Sequence, residues 1–167
     1  MSNSRLHRLG STRMIFLVIL VVFILAWIGT AIFGYVVYGN VLKTAERTDN
    51  ALRSLTWAAL VYACEHEGRF PTSDVELFAT QPLPDQITCI PEVAGAWPTT
   101  LDEVLEGGQL VEDLKFSSRK LKLYFASEGS LPPVFDANGM PTQLNTIETL
   151  KVWLGAFSEA HPIVSSP

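Results

Sequence analysis

The sequence predicts an α+β protein: a long N-terminal transmembrane-plus-stalk helix packed against a small head of short helices and an antiparallel sheet. Three observations predict it. Residues 14–42 (MIFLVILVVFILAWIGTAIFGYVVYGNVL) contain no ionisable group except Tyr35 and Tyr38. The polar stretch that follows has no Pro or Gly before Gly68. Beyond Gly68 the chain alternates helix-capping phrases with short β-rich runs, the pattern of segregated helices and strands.

The leader, residues 1–13, carries Arg5, Arg8 and Arg13 with His7 and no acid. Positive flanking charge stays on the cytoplasmic side, so this end reads as cytoplasmic. A helix needs about 20 apolar residues to cross a bilayer core, and residues 14–42 exceed that. A cleaved signal peptide would use the small residues Gly29-Thr30-Ala31, but residues 32–38 continue the apolar run past them. A retained single-pass anchor is the reading, with the bulk of the chain outside.

Residues 43–67 read as an amphipathic stalk helix. Ala45, Ala51, Leu52, Leu55, Ala58, Ala59 and Tyr62 recur at spacings that put them on one helix face. With no breaker at residue 42, one helix runs from about Met14 to about Glu67, roughly 80 Å long. Its apolar face requires a partner, and residues 68–161, the head, supply it. Residues 162–167 read as a flexible tail.

The head contains one phrase twice: GRFPTS, from Gly68 to Ser73, and GAWPTT, from Gly95 to Thr100. Gly68 suits the left-handed residue that ends a helix, Phe70 folds back, and Pro71 forbids continuation. Ser73 with Glu76 then makes a capping box that opens a short helix burying Val75, Leu77 and Phe78. In the second copy Gly95 and Pro98 punctuate, and Thr100 with Glu103 caps the next helix. The phrase reads as a chain reversal into a capped helix.

Strands follow. Residues 86–90 alternate, residues 121–125 are β-rich, and residues 133–135 and 141–144 form a candidate pair around the turn Asp136-Ala137-Asn138-Gly139. A last helix begins at Asn145, with Leu150, Trp153, Leu154 and Phe157 on one face, and stops at His161-Pro162.

An apolar helix with an amphipathic continuation, ending in Ala58-Ala59-Leu60-Val61-Tyr62 and then Gly68-Arg69-Phe70-Pro71-Thr72, resembles the type IV pilins and type II secretion pseudopilins. In that group the stalk helix ends near an Ala-Leu-x-x-Tyr segment followed by Gly-Arg-Tyr-Pro-Thr. The resemblance covers about the first 78 residues. It implies a protein of the bacterial inner membrane with its N-terminus cytoplasmic and a pilin-like head facing the periplasm or the exterior, acting by protein–protein contact in a secretion, surface or membrane assembly. The chain departs from the group's processing site: Gly10 is followed by Ser11-Thr12-Arg13-Met14, and Ile15 stands where the group has a Glu that guides subunit packing. A pilin-like domain kept as an ordinary anchor is therefore the more economical reading.

Chemistry-bearing patterns are few. There is no HExxH, no Gly-rich phosphate loop and no GxSxG, so neither catalytic nor cofactor-binding residues are expected. His66, between Glu65 and Glu67, reads as a helix-end cap before a metal ligand. Asp136 and Asn138 offer oxygens for Ca²⁺, although a hairpin turn accounts for them and the ligand series is incomplete. Cys64 and Cys89 either form a disulfide, stabilising by about 3 kcal/mol through the loop closed, or stay as small apolar side chains. Trp57, Trp97 and Trp153 either pack head onto stalk or form a partner patch.

Excluding the leader, nine Lys and Arg stand against seventeen Asp and Glu. That balance argues against nucleic acid or anionic lipid as the head's partner, since no basic stripe is left to neutralise phosphates. The expected partners are the bilayer and other membrane or secretion-type proteins. Two alternatives stand beside the pilin-like reading: an accessory subunit of another membrane complex with an extracytoplasmic docking head, and a metal-binding or enzymatic head.

Overall fold

The computed structural model describes residues 4–87 and 97–161, with side chains from residue 13 onward. Two compact units divide the chain, Met1–Val41 and Leu42–Pro167. Helix α1 (Ser4–Glu65) contributes to both. It is followed by α2 (Asp74–Ala79), α3 (Leu101–Leu105), α4 (Leu114–Ser117) with a 3-10 turn (Ser118–Lys120), β1 (Lys122–Tyr124), β2 (Val134–Asp136) and α5 (Thr146–Ala160). The molecule is thus α+β with a long apolar N-terminal helix.

In the first unit α1 is uncovered by any described residue from Arg13 onward. Its large apolar side chains between Met14 and Val41 are 43 to 81% exposed. Each such side chain left in water forgoes about 1.5–3 kcal/mol of burial. Summed over the segment, that exceeds the stability of about 5–15 kcal/mol that a whole domain commands. The helix is long and apolar enough to cross a membrane.

In the second unit the amphipathic expectation needs correction. From residue 51 to residue 61 every side chain of α1 is buried, including Trp57 and also Arg53, Ser54 and Thr56, which the periodicity leaves on an outer face. The head encases the helix instead of lying along one side. Polar side chains tolerate this only with hydrogen-bond partners. Arg53 donates to the Val104 carbonyl at 2.6 Å and to Glu106 at 2.7 Å. Ser54 Oγ accepts from the Val111 amide, Thr56 Oγ1 donates to the Leu52 carbonyl, and Trp57 Nε1 donates to the Pro84 carbonyl at 2.8 Å. The other core faces are Leu77, Leu101, Val104, Leu105, Leu114, Phe135, and Leu150, Leu154 and Phe157 of α5. Trp57 and Trp97 are core residues, and Trp153 packs half-buried against the core.

Both copies of the phrase end in a side-chain-capped short helix, but the reciprocal capping box expected of each forms only in the second. α1 ends through Glu67 and Gly68, both left-handed at φ 55° and 86°. Ser73 Oγ caps α2 by accepting from the Glu76 amide, while the Glu76 carboxylate reaches past Ser73 to the Thr72 amide and hydroxyl at 2.7 and 2.9 Å. The second copy forms the full capping box of Thr100 and Glu103, and Glu103 also accepts from the Thr99 amide at 2.8 Å. The aromatics of both phrases, Phe70 and Trp97, meet Phe157 edge-on at centroid distances of 5.8 and 5.3 Å. One aromatic from each phrase therefore packs on the C-terminal helix. Gly95 lies outside the described residues. Of the three apolar residues expected to be buried in α2, Leu77 is buried, Phe78 is half-buried, and Val75 is 73% exposed.

The sheet also differs. β1 pairs antiparallel with β2, Leu123 opposite Phe135 and Tyr124 opposite Val134. The expected pairing of residues 133–135 with 141–144 does not form, because the turn Ala137-Asn138-Gly139-Met140 leads into α5 with residues 141–143 irregular. Pro141 lacks the amide that a ladder requires. Of residues 86–90, Gln86 makes a single bridge to Thr100, and residues 88–90 lie outside the described segment.

Candidate functional site

Asp113 starts the arrangement by capping α4: its carboxylate accepts from the Phe116 amide at 2.8 Å. The cap fixes Lys115 and, one turn on, Arg119, whose guanidinium lies 5.1 Å from the Phe116 ring centroid. Next comes β1, whose alternation turns Leu121, Leu123 and Phe125 to one side and Lys122 and Tyr124 to the other. On the near wall, Ser73 and its capped helix α2 present Asp74 and Phe78. The result is an open cleft of about 530 Å³. Its floor is Phe78, Leu121, Leu123 and Phe125, all half-buried, and Lys115 and Arg119 stand exposed on its rim. Among the described residues neither cation forms an ion pair; the salt bridge there joins Arg53 to Glu106.

A second feature lies at the start of α5. Asp49 of α1 is 2% exposed; its Oδ2 accepts from the Gln143 amide at 2.9 Å, whereas its Oδ1 and the equally buried Thr146 hydroxyl make no hydrogen bond. Burial pushes the Asp49 carboxyl above its ordinary value, against the smaller opposing influences of the Gln143 amide, the nearby Thr146 hydroxyl and Arg53.

His66 lies at the end of α1, where its Nδ1–H donates to the Tyr62 carbonyl at 2.8 Å and its ring stacks on Tyr62 at 3.9 Å. Glu76 is held below the usual carboxylate range, first by the Thr72 amide and then by its hydroxyl, and the Thr99 amide does the same for Glu103. Asp136 and Asn138 are engaged in a turn: the Asp136 carboxylate accepts from the Asn138 amide at 2.6 Å, and the Asn138 side chain donates to the Lys120 carbonyl. Among the described residues no three His, Cys, Asp or Glu gather as a metal site would need. Cys64 is disulfide-bonded, and Cys89, the other cysteine of the chain, lies outside the described residues. Arg13 is exposed, while the side chains of Arg5 and Arg8 lie outside the described part.

The sequence reading passed over Lys115 and Arg119. The signal was present: the segment KFSSRKLK, residues 115–122, holds four of the nine basic residues beyond the leader. A domain-wide charge balance hides such a local reversal. Comparison of the chain with protein-family models, curated proteins and solved structures finds no match.

Proposed function

We propose that the protein is a membrane-anchored, pilin-like or pseudopilin-like component that acts through protein–protein contacts and has no catalytic role. The observation that carries this reading is α1 itself: one helix that is bare and apolar between Met14 and Val41, and whose later turns form the centre of the head's core. A bare apolar helix is explained by lipid, and a head built around the later turns of the same helix is explained by a need to tether a protein-binding surface to that anchor. In this reading the anchor sits in a bacterial inner membrane, the arginine-bearing end is cytoplasmic, and the head is periplasmic or extracellular.

A second reading is favoured by two observations. Ile15 occupies the place of the group's packing Glu, and residues 51–61 of α1 have no free face for a neighbouring subunit. Both suit an accessory subunit of another membrane complex whose head docks a partner. Cross-linking in intact cells, gentle solubilisation and identification of companions separates the two. Secretion-machinery companions support the first reading and an unrelated stable complex the second; release of the protein by alkaline washing of membranes overturns both.

A further inference from the structure

The geometry points to the cleft between α2 and the α4–β1 segment as the docking site for a short acidic peptide segment of a partner protein. The inference rests on the anchored-docking reading above and names the partner's chemistry. Phe78, Leu121, Leu123 and Phe125 form a half-buried apolar floor, open among the described residues, beside two cations, Lys115 and Arg119, that have no ion-pair partner among those residues. Such a pairing of groups calls for an occupant with apolar side chains and carboxylates. Charge complementarity then selects among anionic partners. Outside the leader the chain is acidic, nine basic residues against seventeen, so an extended polyanion such as nucleic acid or an anionic bilayer surface meets net repulsion. One or two carboxylates on a peptide engage the local cations without that penalty. Asp74 on the facing wall adds direction, since an acid seated there meets like charge, and the occupant's carboxylates must lie toward α4. Arg119 is held for this task by its contact with the Phe116 ring.

The test uses the full chain in detergent micelles and a fluorescein-labelled octapeptide alternating glutamate with leucine and phenylalanine, read by anisotropy. The expected result is saturable, salt-sensitive binding that falls about tenfold or more in Lys115→Glu/Arg119→Glu, where like charges face the ligand. Lys122→Glu, in the same basic run but on the other side of β1, changes affinity less than about twofold, as an uninvolved surface charge should. All three positions are exposed, and unchanged tryptophan fluorescence verifies the fold. Absence of binding, equal binding of a lysine-for-glutamate peptide, or an unchanged double variant overturns the assignment. So does binding of phosphatidylglycerol vesicles that depends on Lys115 and Arg119, which would make a headgroup the occupant. A negative peptide result with the protein still resistant to alkaline extraction overturns the cleft alone and leaves the anchor reading standing.

Discussion

Arg53 and Glu106 form a pair in which the partners are unequally buried, and this predicts that losing the exposed member costs more than losing the buried one. The Arg53 side chain is 7% exposed and that of Glu106 56%. Glu106→Ala leaves a guanidinium in the core with only the Val104 carbonyl as acceptor. Breaking a buried pair from one side costs about 3–5 kcal/mol, and water entering at the rim vacated by Glu106 brings the expectation to about 2–3 kcal/mol. Arg53→Met keeps most of the buried stem, returns Glu106 to water at a cost of about 0–1 kcal/mol, and strands a single carbonyl. Its expected cost is about 1–2 kcal/mol.

The double variant carries no stranded charge, so it should be more stable than Glu106→Ala alone, a non-additivity that independent sites never give. Thermal unfolding of the full chain in detergent, followed by tryptophan fluorescence, reads this directly. At about 4 °C per kcal/mol for a head of this size, Glu106→Ala lowers Tm by about 8–12 °C and the double variant recovers part of the loss. Additive costs, or a Glu106→Ala shift below about 2 °C, would refute the claim that the guanidinium depends on its carboxylate.

Three further outcomes are expected. Gly68→Ala forces a left-handed side chain, and its Cβ would lie 2.9 Å from His161 Cβ, whereas Gly107 has the same backbone and nothing within 4 Å; paired melts should give a loss of about 2–3 kcal/mol for the first and about 1 for the second. Phe157→Ala removes the ring on which one aromatic from each phrase packs and should cost about 3–5 kcal/mol in urea unfolding; a loss under about 1 would deny that this packing matters. For Asp49 the folded carboxyl titrates above its unfolded value, so its burial destabilises the head at neutral pH, and stability is regained as pH falls through the raised folded value toward 3.8. Asp49→Asn should therefore match or exceed the natural chain at pH 7 and flatten the acid-side rise, while Glu76 and Glu103, shifted downward, lose their contribution only at lower pH.

What the sequence disclosed depended on how local the determinant was. The apolar run, the glycine and proline stops, and the Thr100–Glu103 box are written within a few residues of where they act, and they could be read directly. Burial of Arg53 and Ser54 could not, because their partners are Val104, Glu106 and Val111, chain segments remote in sequence. Periodicity assumes one buried face, and a helix enclosed on every side violates the assumption. The sheet was misassigned for a related reason: Asn138-Gly139 has the turn chemistry of a hairpin, at φ 53° and 78°, but the strand that pairs with β2 precedes it in sequence. The cleft required tertiary structure, since Phe78 and Phe125 are brought together only by packing.

Enclosure of α1 also constrains how any assembly could be made. Two helices associate by fitting ridges into grooves, which needs a stripe of side chains free on each. From residue 51 to residue 61 no stripe is free, because every position is already covered by the head. Direct helix-to-helix contact between copies through α1 is therefore excluded from residues 51–61 and left to the exposed positions before them, which include the apolar segment before Leu42. A Cβ added at Gly29 or Gly34 would meet nothing within 4 Å among the described residues beyond the helix's own backbone. Contacts made by the head must instead use its outer surface, where Lys115 and Arg119, without an ion pair among the described residues, stand beside an apolar floor in an otherwise acidic head. In the proposed reading, specificity for partners and attachment to the membrane are thus carried by different residues, and a substitution in one set should leave the other function intact.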